Sequence, residues 1–573
     1  MKIGAAKVDF TPEIMGTAML GYGVTHHVIE GYTTRVHARA YYMEDDNGKA
    51  VCMVVCELAL IFNSLRHTVC RELKRVAPEI PINDANLLLM AQHTHSAPSG
   101  YSYHPLYNIA TPGLQLYVLE TYTNGIVKAI INAFNKKEKG QLKYAEDFVS
   151  PDKNVSFNRS INAYNQNPEV EKIAFKDRHL AVDRTMRMLQ FNTEQGKELG
   201  SLNWFAVHTT TIPVSEHNVH FDNKGYAAQF LEKSKGGDYV AAFAHGYSGD
   251  VTGNFVKDSK RKNFRTHRGP YEDNDANAQF NGNIQYEEAS RILSQMKDGT
   301  DLEQGIDFYT TWVDMSNVEI DPAFVNGVIN AKTCPSCIGV DMLIGAQMDG
   351  LGLPDFLIPM ARSASRSIRM YEKRILSTLK SQEIKDKLNR KYEVQGNKYV
   401  TIETGENRLL GTSDIKNLVV PGFMDDTIKY LKYFHKKGTF DLLPMSAQKL
   451  PFQIFRIGEM LIVSYPFEFT TTTGRRIKSF IESKVDSSKI KHIVVSPYSN
   501  SYNGYMTTTE EYQVQAYEGG HNVFGQWSIG AIYQITNELL SEFEKPSDKR
   551  TTPMDVLSEY DNLDLEMLMY KGK

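Results

Sequence analysis

Two histidines one residue apart, His93 and His95, stand at the end of the stretch Leu87 to Gly100, which reads L-L-L-M-A-Q-H-T-H-S-A-P-S-G. Imidazole nitrogens bind metals and carry protons near neutral pH, so the pair suits a metal or a developing charge. The apolar run Leu87 to Met90, closed by Pro98 and Gly100, is the pattern of a buried strand that ends in a loop. In extended chain, residues two apart point to one side, which predicts that the two rings converge. Alone, H-x-H more often marks a pair of hydrogen-bonded strand-end histidines. The other strand ends reverse that balance.

Leu202 to Val207 is a second apolar run and ends in His208; Tyr239 to Ala244 is a third and opens onto H-G-Y-S-G-D-V-T-G-N, His245 to Asn254. Small and hydroxyl residues crowded after a strand make a loop whose N–H groups can face a reacting centre. Met460 to Tyr465 ends in Pro466-Phe467-Glu468, and His492 to Ser496 opens onto Asn500 to Tyr505, followed by Tyr512 and Tyr517. Strand ends therefore offer His, His, Glu and Tyr, a nitrogen and oxygen set suited to zinc, which lowers the pKa of a bound water. Arg159, in Asn158-Arg159-Ser160, could clamp a substrate with its planar fork of donors, although most surface arginines are simply solvated. Gly21, in the turn M-L-G-Y-G, permits close approach of backbone to a ligand, and an ordinary turn explains it as well.

The elements that must hold these residues alternate apolar strands with helical segments, which predicts a mixed α/β (α+β) core with the metal site at strand ends. Ala50 to Phe62 is almost wholly apolar, as in a strand covered on both faces. Glu57 interrupts it and needs a partner, either a histidine that it orients or a structural salt bridge. A helix is expected from about Gly113 to Phe134, an exposed loop over the polar segment 257–283, and solvent-facing helices over Met360 to Arg390. Cys334-Pro-Ser-Cys337 lacks the second pair that a zinc ribbon needs and reads as a local disulfide or two ordinary thiols.

The chain has 573 residues, 41% of them apolar, and a net charge of −4 from 64 basic and 68 acidic side chains. That is a globular composition with no nucleic-acid footprint. No apolar run approaches the ~20 residues needed to span a bilayer, and the start shows no signal-peptide pattern. Nothing in the sequence sets an oligomeric state.

Six motifs in order, H-T-H-S-A-P-S-G, N-R-S-x-x-A-Y, N-W-F-A-V-H, G-D-V-T-G-N, E-F-T-T-x-x-G-R-R and Y-x-x-x-x-E-E-Y-x-x-x-x-Y, resemble those of the neutral ceramidase family. The likeness runs from about Lys2 to Trp527. It implies one large catalytic domain over 1–545, followed by a polar tail over 546–573, and a zinc-dependent amidase that splits ceramide into sphingosine and a fatty acid. By position, His93, His208, Glu468 and Tyr505 would bind zinc. His95 and Tyr517 would face the amide and its oxyanion, His95 as a protonated donor, while Gly21 and Arg159 would hold the polar head of the substrate. Thr252 would replace the active-site serine of the family. A threonine is the more crowded nucleophile because its β-branched side chain is stiff, which favours an attacking water over an attacking hydroxyl.

Family members commonly carry an immunoglobulin-like domain at the C-terminus. Beyond Gly525 the chain has about half of the ~100 residues such a sandwich needs, so that domain is expected to be absent. The resemblance implies an N-acyl lipid partner, peripheral contact with a membrane, and a secreted or periplasmic setting. Two other readings stay open: a hydrolase of the same architecture acting on a soluble N-acyl compound, and a binding protein without catalysis.

Overall fold

The computed structural model describes residues 1–260, 263–303, 305–376, 378, 381–415 and 427–571. Two sheets lie face to face. The larger has nine strands, and eight follow one path: Val240–His245, Glu198–Phe205, Thr185–Thr193, Glu138–Phe148, Lys2–Asp9, His37–Glu44, Ala50–Cys56 and Leu87–Ala91. The smaller runs Ile306–Asp314, Lys449–Ile457, Met460–Ser464 and His492–Ser496. Most neighbours are antiparallel. Within these two sheets three pairs are parallel: Ala50–Cys56 with Leu87–Ala91, Glu198–Phe205 with Val240–His245, and Met460–Ser464 with His492–Ser496.

The unbroken apolar runs follow from this layering. In Leu87–Ala91, Leu87 and Leu89 face a core shared with helices Asn63–Val76 and Leu116–Asn135. Leu88 and Met90 face the opposite way, into the core between the sheets, against Phe455, Met460 and Ile462. Met460–Ser464 alternates likewise, with Leu461 and Val463 turned toward helices Thr471–Lys484 and Ser528–Glu544. A strand buried on both faces has no polar phase, and each fully buried leucine contributes about 1.5–3 kcal/mol. Asn500, with φ +66°, joins the sheets. Its Oδ1 accepts from Leu89 N and Arg66 Nη1, and its Nδ2 donates to Gln453 and Ser464.

Several expectations shift. The run after Ala50 leaves the sheet at Cys56. Glu57 lies just beyond, where it accepts from Arg39 Nη1 (2.5 Å) and from the backbone and ring of His37, so it holds a buried arginine and not a site histidine. The helix expected near Gly113 begins at Leu116. Segment 257–283 is not a loop throughout. Val256–Lys257 pairs with His267–Arg268, and helix Asn274–Ser294 starts at Asp273, whose carboxylate accepts from Ala276 N. The buried face of that helix carries Asn277, Asn281 and Gln285, and hydrogen bonds rather than apolar contacts satisfy the last two. Helices Ile358–Tyr371 and Gln382–Gln395 occupy the expected charged stretch, part of which lies outside the described residues. After 546 the chain packs Leu557, Tyr560 and Leu568 against helix Asn63–Val76 and its neighbours, and Tyr560 accepts from Asn63 Nδ2 (3.0 Å). All five cysteines are free thiols.

Candidate active site at the carboxyl ends of the parallel strands

Each parallel pair delivers one part of the site just past its carboxyl end. His93 follows Leu87–Ala91, His208 follows Glu198–Phe205, Glu468 follows Met460–Ser464, and Tyr498, Tyr502 and Tyr505 follow His492–Ser496. Side-chain alternation does not bring His93 and His95 together. The strand has ended at Ala91, and His93 adopts φ +71°, a left-handed turn that swings its ring back beside that of His95. Non-glycine residues avoid this region unless their surroundings hold them there.

The hydrogen-bonding pattern defines the imidazoles. His93 Nδ1–H donates to the Ala59 carbonyl (2.6 Å) and His208 Nδ1–H to that of Ser248 (2.9 Å). Both Nε2 atoms are thereby left with lone pairs, 3.1 Å apart. His95 Nε2 lies 3.2 Å from His93 Nε2, and its Nδ1 has no partner among the described residues. Glu468 Oε2 completes the group at 3.6 Å from His93 Nε2 and 3.5 Å from His208 Nε2, buried and without a hydrogen bond, while Tyr502 donates to the other oxygen at 2.6 Å. Burial holds His93 below the ordinary imidazole range, and His95 and His208 well below it. Burial thus favours the neutral rings, the form in which imidazole binds a metal.

Neutral lone pairs facing one another and an orphaned carboxylate oxygen are costly without a cation between them. Tetrahedral zinc with ~2.0–2.1 Å bonds sets ligand nitrogens about 3.3 Å apart. The donor set fits such an ion. His93, His95 and His208 form the histidine cluster, and Glu468 adjoins it. Tyr505 sits beside Glu468 through parallel pairing of Glu468–Phe469 with Tyr505–Met506. Burial, then the Glu468 charge, keeps the Tyr505 hydroxyl protonated well above its usual range. Tyr517 is raised too, chiefly by burial, and its ring packs edge-on to Tyr505 at 5.5 Å.

Arg159 reaches the site differently from a substrate clamp. It is buried and spends its donors on the protein: Nη1 to Asp349 (2.7 Å), Nε to Glu518 (3.0 Å), Nη2 to the Gly249 carbonyl (2.8 Å) and to the Tyr505 hydroxyl (3.2 Å). Thr252 is equally committed. Its hydroxyl donates to Asp349 Oδ1 (2.5 Å) and accepts from Asn254 N (2.9 Å). Gly21, with φ +134°, lies against His95, whose ring fills the space a Cβ would take, and Tyr22 packs edge-on to that ring at 5.0 Å. His245, Nε2–H to the Gln92 carbonyl and Nδ1 to Ser248, backs His93 as support. Asp349 and Glu518 were missed from sequence. The only hint was position, Asp349 before Gly350-Leu351-Gly352 and Glu518 next to Tyr517.

The family model for neutral/alkaline non-lysosomal ceramidase, N-terminal, matches residues 1–418 and 434–534. The chain belongs to that family. A neutral ceramidase of Pseudomonas aeruginosa is 27% identical over 540 residues, 93% of this chain and 71% of the relative. Neutral ceramidase B of Dictyostelium discoideum is 28% identical, over 94% of this chain and 71% of that one. A solved ceramidase complexed with C2 superposes with a TM-score of 0.77 at 27% identity, covering 97% of this chain and 77% of the other. The mixed α/β architecture read from the sequence is therefore that of a ceramidase.

Proposed function

We propose that this ceramidase-family chain is a zinc-dependent amidohydrolase that cleaves the N-acyl bond of ceramide, releasing sphingosine and a fatty acid. The observation that carries the metal is the pair of Nε2 lone pairs 3.1 Å apart beside the unpartnered Glu468 Oε2. His93, His208 and Glu468 would hold the ion, with Tyr505 at the remaining side. Bound zinc supplies a Lewis acid and an acidified water.

The chain's own groups supply the rest. Neutral His95, whose Nε2 faces the cluster 3.2 Å from His93 Nε2, would take a proton from the attacking water and return it to the departing amine. The protonated Tyr517 hydroxyl is a donor for the oxyanion. Arg159, fixed by two carboxylates, orients Tyr505 rather than the headgroup. Thr252 and Asp349 brace that arginine, which supports water as the nucleophile and leaves the threonine hydroxyl a structural bond. Metal analysis after dialysis tests the assignment. About one zinc per chain is expected, with loss in Glu468→Gln and His93→Ala variants that keep native circular dichroism; full zinc retention in both would overturn the ligand set.

A further inference from the structure

Cys334 and Cys337 belong to a different region from the zinc-ligand candidates, and the activity described above makes no use of them. They lie in the turn before Ile338–Gly339, 1% and 2% exposed, and line a cleft of about 660 Å³ together with Lys332, Lys387, Arg390 and Lys391. Both thiols donate to the Pro335 carbonyl, at 3.5 and 3.4 Å. Gln395 Nε2 donates to Cys334 Sγ at 3.2 Å, and the buried Lys398 ammonium stands nearby, donating to the Cys337 and Asn522 carbonyls.

This is the environment that separates an attacking thiol from a resolving one. The neighbouring Cys337 thiol, followed by the Gln395 hydrogen bond and the fields of Lys398 and Arg390, holds Cys334 below the ordinary thiol range, and the Cys334 sulfur together with burial pushes Cys337 well above it. Burial is the main cause that raises Cys52, Cys56 and Cys70, the last to about 12, with the Glu57 charge adding to it at Cys56 and that of Asp84 at Cys70. The five thiols are therefore not equivalent.

We propose that Cys334 and Cys337 form a disulfide-exchange site for a small disulfide of the glutathione type entering the cleft, with Cys334 as the attacking thiol. The Cys334 thiolate attacks one sulfur of the small disulfide, forming a mixed disulfide and releasing one thiolate, which takes up the proton given by Cys334. The Cys337 thiol then loses its proton and attacks Cys334 Sγ, closing the intrachain bond and expelling the second thiolate, which takes that proton. The protein dithiol loses two electrons and the small disulfide gains them. The bond would form beside the segment that follows Tyr517, because Cys337 N donates to Val523 O, and Tyr505 N to His521 O in the same segment.

The test is incubation of the folded protein with oxidised glutathione, alkylation of remaining thiols and peptide mass mapping. The expected result is one disulfide, 334 to 337, with Cys52, Cys56 and Cys70 alkylated only after denaturation. Cys337→Ser should stall as a glutathione adduct on Cys334, and Cys334→Ser should stay unmodified, with circular dichroism confirming the fold of each. Absence of the 334–337 disulfide in the wild type, or equal adduct formation on both single variants, would overturn the site.

Discussion

Replacing Gly21 by alanine would strike His95 without touching any proposed ligand. A Cβ at Gly21 would sit 2.6 Å from His95 Cβ and 2.7 Å from its Nδ1, closer still to Cγ, where ordinary contact begins at 3.4 Å. The imidazole must therefore retreat by about 1 Å, and a misplacement of that size at a reacting group costs on the order of 100-fold in rate, about 2.7 kcal/mol of barrier. Alanine at φ +134° adds about 1–3 kcal/mol of backbone strain, which appears as lower stability and not as a rate effect. Gly23→Ala separates the two. It has φ +69° and nothing within 4 Å of its Cβ, so it pays only the left-handed penalty of about 1–2 kcal/mol. Turnover of an N-acyl sphingosine by zinc-loaded protein, with thermal unfolding run alongside, is the assay. Gly21→Ala should lose kcat about 100-fold and Gly23→Ala less than about threefold. Equal losses in the two variants, or a Gly21→Ala enzyme of near wild-type kcat, would refute the placement of His95 against this turn.

Arg159→Lys keeps one charge but not the fork that reaches Asp349, Glu518, Gly249 and Tyr505; kcat should fall by about 100-fold or more and the protein should lose about 3–5 kcal/mol, read by denaturant unfolding, since two buried carboxylates lose their pairing geometry. Thr252→Ser preserves both hydroxyl bonds and should retain activity within about threefold, whereas Thr252→Val removes the donor to Asp349 and should cost about 1–3 kcal/mol of stability, measured the same way. Zinc added to metal-free protein at 100 times its dissociation constant should raise stability by about 2.7 kcal/mol, and His208→Ala should abolish that gain in a thermal scan.

The site was more legible in the sequence than the ground that supports it. Apolar runs on Leu87–Met90, Leu202–Val207 and Met460–Tyr465 are conspicuous because those strands are buried on both faces, and a histidine or glutamate at the end of such a run stands out. The convergence of His93 and His95 was anticipated for the wrong reason, since the positive φ of His93 and not strand alternation turns the ring. The first half of helix Asn274–Ser294 was unreadable because asparagines and a glutamine, Asn277, Asn281 and Gln285, take buried positions there, and the apolar Ile284, Ala289, Ile292 and Leu293 come only later. Asp349 lies almost a hundred positions from Thr252 and twice that from Arg159, and no local pattern announces a pairing that only the tertiary fold creates. Arg159 was visible as a residue, but its four protein acceptors were not.

The most direct measurement is release of fatty acid from an N-acyl sphingosine by the purified protein, with chelator and after zinc is restored. Release that stops with chelator, returns with zinc and is absent in folded His93→Ala is the expected result. No release by folded protein carrying one zinc per chain would contradict ceramide as the substrate.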